Sequence, residues 1–520
     1  MRGGQRRGTM RRMATEIELK FRILPDRLAA VRRAVATASA RVQPLAAAYF
    51  DTPGEHLARS RVALRLRREG AVWVQTLKAE GASAIQRLEH NVPLGAAADA
   101  GVVPALDLRR HDGTEAGAAL RRVLAEVGDG TALAERYATD IQRTSRLLRS
   151  GGARIELALD EGVIRAGGRR LAVCELEFEL LDGPPQALLA LAARWVNRFG
   201  LVLDVRSKSE RGHLLAAGRP ASPPTLGAAP RLTARAAPAQ ALATMLTAAL
   251  RPVLANASVL ADADITDAVA ADAEYLHQLR VGLRRVRSVL AVFGPLLPPA
   301  VVALAPALAA LFDALGDQRD RDALAEALWP ALTAAGAPLV ELPPAAPAAN
   351  APSLTDRLAA RDTQRLWLAL LGAGWPPEPS AEAAPVRAAP ALRAALGTAL
   401  GALHRQVRRD AARLATLDEP RRHRLRRRIK RLRYATELSS TLWPAKATTA
   451  FLRRLQRAQT ALGDDQDALM ATTLYRSLAA SDPRAWFAVG WLTAHREALA
   501  APCASALARL ARQPAPWRNA

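Results

Sequence analysis

The sequence predicts an α+β domain followed by an all-α domain. Three features carry that reading: short segments of period-2 alternation between Thr15 and about Lys208, a stretch rich in Pro, Ala and Gly at 217–238, and long amphipathic runs of Leu, Ala and Arg beyond it. A chain of 520 residues has room for at least two cores at roughly 100–200 residues per domain. In order, strands are expected at 15–23, 61–68, 72–78, 85–92, 153–160, 171–180 and 201–208, and helices at 26–38, 115–127 and 185–199, the last stopped by Gly200. The resulting limits are a disordered basic leader at 1–13, an α+β domain at 14–217, a linker at 218–238 and a helical domain at 239–512. Residues 331–390 of the helical domain are dense in Pro and Ala and read as a loosely structured insert.

Composition narrows the class. Half the residues are apolar and the mean hydropathy is −0.01, which excludes a wholly disordered chain. No run reaches the ~18 uncharged apolar residues of a spanning helix, so no membrane partner is expected. The five arginines of Met1–Met13 are not followed by an apolar stretch, which argues against an export signal. Cys174 and Cys503 are the two cysteines and offer no disulfide framework, so a reducing, cytoplasmic setting is expected.

Charge is unevenly distributed. The 73 Lys and Arg against 49 Asp and Glu give a formal net charge of +24; residues 14–217 hold 30 basic against 25 acidic groups, while residues 218–520 hold 38 against 24. The C-terminal half therefore calls for a polyanionic partner. Lysine occurs five times, at Lys20, Lys78, Lys208, Lys430 and Lys446. In a chain that otherwise uses Arg, each Lys marks a candidate site for a compact point charge.

In TEIELKFRI, Glu16, Glu18, Lys20 and Arg22 share one strand face and Ile17, Leu19, Phe21 and Ile23 the other. One such strand could simply be an edge with a solvated face. The pattern recurs, however, in Arg65 and Arg67, in Arg87 and Glu89, in Arg154, Glu156 and Asp160, and in Glu175, Glu177 and Glu179. If the sheet curls with these faces inward, a dry interior would cost several kcal/mol per uncompensated charge, so the inside must be wet and bind ligand. Clustered carboxylates suit Mg²⁺ or Mn²⁺, and clustered Arg and Lys suit phosphate oxygens. Together they describe a site for a metal-complexed polyphosphate chain.

These residues resemble the CYTH family, the triphosphate tunnel metalloenzymes. E-I-E-L-K at 16–20 is similar to its E-x-E-x-K signature, and YFDTP (49–53), LRLR (64–67), QTLK (75–78), QRLEHNVPL (86–94), DIQRTSR (140–146), IELALDEGVI (155–164), CELEFELL (174–181) and KSERGHLL (208–215) follow in family order. The resemblance implies an eight-stranded antiparallel β tunnel that hydrolyses inorganic triphosphate with Mg²⁺ or Mn²⁺. It implies metal ligation by Glu16, Glu18, Asp160, Glu175, Glu177 and Glu179. Phosphate would be gripped by Lys20, Arg65, Arg67, Lys78, Arg87, Arg143 and Lys208, and the catalytic set would be Glu16, Glu18, Lys20, Arg143 and Asp160.

The helical half repeats. His277, Arg280, Arg284 and Arg287 stand at offsets 0, 3, 7 and 10, as do His423, Arg426, Lys430 and Arg433, a spacing that traces one helical face. LGDQRDRDAL begins 38 residues after the first His and LGDDQDAL 39 after the second, which points to a duplication with a period near 146 residues. An Arg-rich stripe is usually a solvated face, yet RRHRLRRRIKRLRY (421–434) crowds like charges densely enough to call for an anion. These paired motifs resemble the CHAD family, which implies two pseudo-symmetric four-helix halves and polyphosphate binding through the eight repeat residues. With no H-x-x-x-H pair beside them, the histidines serve phosphate or protons at least as well as metal.

Three other readings stay open at this point. Thiamine triphosphate hydrolysis or adenylate cyclisation could use the same tunnel, and the chain could be a non-catalytic polyphosphate-binding scaffold. Nucleic acid as partner of the basic half is weakened by an aromatic content of 4%, which leaves few stacking platforms.

Overall fold

The computed structural model describes residues 15–96, 103–128, 132–269, 272–316, 328–338, 340, 352–375 and 392–518. The leader at 1–13, the DQRDRDAL part of the first LGDQRDRDAL motif and residues 339, 341–351 and 376–390 of the insert lie outside the described residues, while the described part of the insert is not loose but carries the helices Leu354–Ala359 and Arg361–Ala373. The chain forms two compact units. One comprises the residues up to Thr225 together with Leu254–Tyr275 and Leu358–Leu368; the other comprises Leu226–Val253, Leu276–Arg357 and the chain from Ala369 onward.

The first unit is an antiparallel barrel. Its strands are β1 (Thr15–Arg22), β2 (Arg41–Asp51), β3 (Ala63–Glu69), β4 (Val72–Glu80), β5 (Gln86–Ala96), β6 (Ala134–Ser150), β7 (Ala153–Ala166) and β8 (Arg169–Asp182). They run in the order β5-β4-β3-β2-β6-β7-β8-β1, and β1 pairs back onto β5 to close the ring. Strands β2 and β6 were not expected from alternation. In RVQPLAAAYFD the inward row of β2 includes Pro-flanked Leu45, Ala47 and Tyr49, and β6 leaves most of its length half-exposed, so neither shows a clean polar and apolar rhythm. The expected strand at 201–208 shrinks to Val202–Leu203, paired with β1. Ser207 instead caps a helix, Lys208–Ala217, accepting from the Glu210 amide, with Gly218 closing it at φ 65°. Ser followed three residues on by Glu is a helix-start signal that overrides a short β pattern.

Of the other helices flanking the barrel, Glu115–Val127 and Pro185–Phe199 fall where periodicity placed them, and Leu28–Val35 is shorter than expected. The apolar row of each strand faces outward under these helices. Phe21 meets Phe178 edge to face at 5.6 Å between ring centres, and Phe178 meets Trp195 of Pro185–Phe199 at 5.7 Å. Leu19, Phe21, Leu157 and Phe178 are fully or almost fully buried there. The charged rows consequently point into the barrel. At one end the interior is filled by Leu45, Tyr49, Tyr137, Ile141, Ile164 and Val173, packed against Leu215 and Ala216 of Lys208–Ala217. Gly212 permits that packing, since a Cβ there would lie 2.2 Å from the Tyr137 ring.

Within the same unit, Leu254–Tyr275 and Leu358–Leu368 brace the strand ends. Arg22 reaches the Ala261 carbonyl at 3.0 Å and Asp262 at 3.2 Å, the Leu203 amide donates to Gln364 Oε1, and Val205 donates to Ser258 Oγ.

The second unit is helical among its described residues, with Glu274–Phe293 carrying the first basic motif and Leu392–Ala412, Glu419–Leu438, Ala445–Leu478 and Ala485–Arg512 forming four long helices of the second half. One element departs from the expectation that no segment suits a membrane: Pro238–Leu260 has 23 residues, and its most apolar window reaches a mean hydropathy of 1.3. That window is 72% buried against protein, as in a core helix, which explains its composition without a bilayer.

Gly162 lies on β7 where a Cβ would sit 2.1 Å from the Asp140 carbonyl oxygen of β6. The strands cannot part without breaking ladder bonds, so Gly162→Ala is expected to destabilise the barrel by about 2 kcal/mol. A fall in the denaturant midpoint of the first unfolding transition measures it, and an unchanged midpoint would refute the close approach.

Candidate active site

Register brings the charged residues together in rungs. Glu18 on β1 lies opposite Glu179 on β8, which lies opposite Glu156 on β7; Lys20 lies opposite Glu177, itself opposite Ala158; Arg22 lies opposite Glu175, itself opposite Asp160; and Arg143 on β6 lies opposite Asp160. Directly opposed residues share a face, so one wall of the tunnel is acidic. The far wall continues with Tyr49, Arg65, Thr76 and Asn91, and with Ala63, Lys78 and Glu89.

Two layers of carboxylates differ in how they are neutralised. In the deeper layer, Asp160, Glu175 and Glu177 bring oxygens within 4.8 Å of one another, close enough to share one ion. Arg143 grips Asp160 with two bonds of 2.7 Å and also meets Glu177; Lys208 lies 2.6 Å from Asp160 and 2.7 Å from Glu177 and also touches Glu175; Arg211 adds a contact to Glu175. Burial opposes ionisation of Asp160 and Glu177, but the Lys208 and Arg143 charges outweigh it and hold both carboxyls below their ordinary range. The same carboxylates raise Lys208 and Arg143 against the effect of burial.

The outer layer lacks such compensation. Lys78 binds Glu16 at 2.7 and 2.9 Å and approaches Glu89 at 3.4 Å, yet burial, with Glu89 and Glu179 nearby, still raises Glu16. Glu18 is pushed up to about 8 by burial and then by the Glu177 charge, with Lys20 3.9 Å away in partial relief. Its Oε1 is buried without a hydrogen bond. Burial, Glu18 and other carboxylates push Glu179 up to about 7 against the pull of Lys78. Crowded, under-neutralised oxygens of this kind suit a hard divalent cation; the carboxylates whose oxygens meet closely enough to share one are Asp160, Glu175 and Glu177, and Glu16, Glu18 and Glu179 extend that acidic wall.

Of the other expected phosphate contacts, Arg65 donates to the Tyr49 hydroxyl at 3.0 Å and Arg67 pairs with Glu69, both within the tunnel. Arg87 faces Glu16 across β1 and β5, but its guanidinium bonds the Gln86 carbonyl and does not join the carboxylate layers. Tyr49 and Arg211 belong to the constellation and were given no role from the sequence, whereas Glu89 and Glu156, read there as members of the charged rows, do face the tunnel. The R of KSERGHLL, one helical turn after Lys208, was the available signal for Arg211.

The basic motifs of the second unit also converge. Arg280, Arg284 and Arg287 stack around Phe312 at 5.0, 5.6 and 4.8 Å from the ring centre. Burial, then Arg427 and Arg284 working against Asp313, lowers Arg287; burial, then Arg427 and Arg287, lowers Arg431. The two motif helices therefore face each other with Arg287, Arg427 and Arg431 crowded together, and the sequence reading had missed Arg427 and Arg431. By contrast Arg426 meets Asp467 at 3.5 Å, and Arg433 binds Gln459 at 2.8 Å and pairs with Glu437. His423 is lowered chiefly by burial and then by Arg427, and it bonds Gln466. His277 and Lys430 lie half-buried on the same helices. The glycines of the two LGD motifs lie against the basic ones: a Cβ on Gly316 or on Gly463 would sit 3.2 Å from the guanidinium of Arg280 or Arg426, respectively.

Residues 14–211 match the family model of the CYTH domain, and residues 244–476 match that of the CHAD domain. The chain carries a CYTH domain followed by a CHAD domain. The CYTH residues fall on the barrel and the CHAD residues on the paired basic helices. A stretch of 171 residues is 30% identical to an inorganic triphosphatase from Haemophilus influenzae, covering 32% of this chain and 44% of that protein, so the chain spans less than half the length of that relative. Among solved structures, the CHAD domain from the plant Ricinus communis aligns at 26% identity and a TM-score of 0.43, covering 56% of this chain and 98% of that one. The PH1819 protein from Pyrococcus horikoshii OT3 aligns at 19% identity and a TM-score of 0.26, covering 39% and 99%.

The raised carboxyls of the CYTH domain set a pH signature. A carboxyl whose folded pKa exceeds its unfolded value holds an extra proton when folded, so stability falls as pH climbs from the unfolded value near 4.5 through about 8 for Glu18. Glu18→Gln removes that loss. In metal-free buffer the variant is expected to melt higher than wild type at pH 8.5 and close to it at pH 4; equal differences at both pH values would refute the assignment.

Proposed function

We propose that the CYTH domain hydrolyses inorganic triphosphate to diphosphate and phosphate with Mg²⁺ or Mn²⁺, and that the CHAD domain holds longer polyphosphate. The observation that carries this reading is the opposition, inside one closed barrel, of an under-neutralised acidic wall to Lys20, Lys78, Arg65, Arg67, Arg143 and Lys208. The cations would bind the phosphate oxygens and orient the chain along the tunnel. A divalent ion held by Glu16, Glu18 and Glu179 would neutralise substrate charge and acidify a bound water. Water adds to the terminal phosphorus as the bridging P–O bond breaks and diphosphate departs, so positioning and charge neutralisation suffice without a nucleophilic side chain. The deeper set, Arg143 with Asp160 and Lys208 with Glu175 and Glu177, holds the grip of the tunnel rigid.

Phosphate release from tripolyphosphate is expected with Mg²⁺ or Mn²⁺, to be lost in EDTA, and to exceed release from thiamine triphosphate and ATP. Glu16→Ala with Glu18→Ala should lower kcat by about 10²-fold or more, in the range of losing preorganised charge at a transition state. No hydrolysis with any divalent metal would favour a non-catalytic scaffold, and full activity in the double variant would remove this site.

In the CHAD domain the supporting feature is the crowding of Arg287, Arg427 and Arg431, since Arg427 and Arg431 make no ion pair among the described residues. Arg427→Glu with Arg431→Glu is expected to weaken long-chain polyphosphate binding by the full chain roughly tenfold or more and to flatten its salt dependence. Unchanged affinity, or equal competition by nucleic acid of matched charge, would overturn this part.

A further inference from the structure

A second basic concavity lies elsewhere in the helical unit, and neither copy of the repeated motif contributes to it. One face of Leu392–Ala412 carries Arg393, Gly397, Gly401, His404, Arg405 and Arg408, a row with helical spacing. The chain then returns past Arg512, and Pro514–Arg518 lays Trp517 and Arg518 along that face to enclose a cavity of about 500 Å³. Its floor is aromatic: His404 and Phe451 each meet Trp517 edge to face, at 6.1 and 5.2 Å between ring centres. The two glycines leave room for the tail, since a Cβ on either would lie 3.5 Å from Trp517.

Two observations point to a ligand. Among the described residues, Arg393, Arg405, Arg408, Arg512 and Arg518 line the cavity, no carboxylate does, and none of the five forms an ion pair. His404 is 6% exposed, and its Nε2 is buried with no hydrogen-bond partner while the ring lines the same cavity. An orphaned buried ring nitrogen costs free energy unless something fills the site. We propose that this cavity is a separate anion site that takes a short oligophosphate. Five guanidinium forks in so small a volume need a compact ligand with several charges, and linked phosphoryl groups carry three or more charges within such a space. Burial, with Arg408 and Arg518 close by, pushes His404 down to about 4, so the ring is neutral and the arginines supply the positive charge.

The test uses the full chain in EDTA, where tripolyphosphate is not consumed, and reads arginine modification by phenylglyoxal at each residue by mass spectrometry. Tripolyphosphate is expected to slow modification of Arg405, Arg408 and Arg518 roughly tenfold. Sulfate at equal ionic strength should not. In equilibrium dialysis, Arg405→Glu with Arg408→Glu should lower the tripolyphosphate bound by one per chain while hydrolysis in the tunnel stays at the wild-type rate. Unprotected arginines, equal protection by sulfate, or unchanged stoichiometry in the variant would overturn the proposal. Protection by ATP without protection by tripolyphosphate would overturn a free oligophosphate as ligand. Because these arginines lie outside the tunnel, failure here leaves the triphosphatase reading standing.

Discussion

A closed barrel that turns its charged rows inward must neutralise them within the ring, and that requirement organises the first unit. Eight strands remove every sheet edge, which leaves no route by which Glu16, Glu18, Asp160, Glu175, Glu177 and Glu179 can relax toward bulk solvent. The structure answers with Lys78 from β4, Arg143 from β6, and Lys208 and Arg211 from a helix beyond the strands. Neutralisation is complete in the deeper layer and incomplete around Glu18 and Glu179. Under the proposed function, the incomplete layer is where a divalent cation would supply the missing positive charge.

Much of this was legible in residue order. Alternation placed Glu16, Glu18 and Lys20 on one face of β1 and the row of three glutamates on β8, and scarcity singled out Lys20, Lys78 and Lys208. Alternation could not place β2 and β6, because Ala-rich and half-exposed strands carry no polar and apolar contrast. Nor could it weigh the neighbours: Glu177 is held low and Glu18 pushed high although both belong to one acidic wall, and the difference lies in the reach of Lys208 from a separate helix. Tyr49, whose hydroxyl accepts from Arg65, was masked by its aromatic character, which reads as core.

The duplication in the second unit was visible as matching offsets, but its physical content is steric. Gly316 and Gly463 stand at matching places in the two copies, and each leaves space for one guanidinium. Gly316 and Gly463 thus make room for Arg280 and Arg426. This division of labour within a motif explains why two of the three crowded positions, Arg427 and Arg431, lie outside the eight residues that share the repeat spacing and only Arg287 belongs to them.

The dependence of the deep carboxylates on Lys208 and Arg211 has a consequence for biogenesis. Glu18 finds its partner Glu179 only across 161 residues of chain, and such distant pairings form late because the intervening loop must first be closed. During synthesis, strands β7 and β8 emerge with Asp160, Glu175 and Glu177 side by side and only Arg143 to offset them. The helix that completes their neutralisation is made only after all eight strands, so it acts as a latch, and the acidic layer of the nascent barrel gains its full cohesion only when Lys208–Ala217 docks.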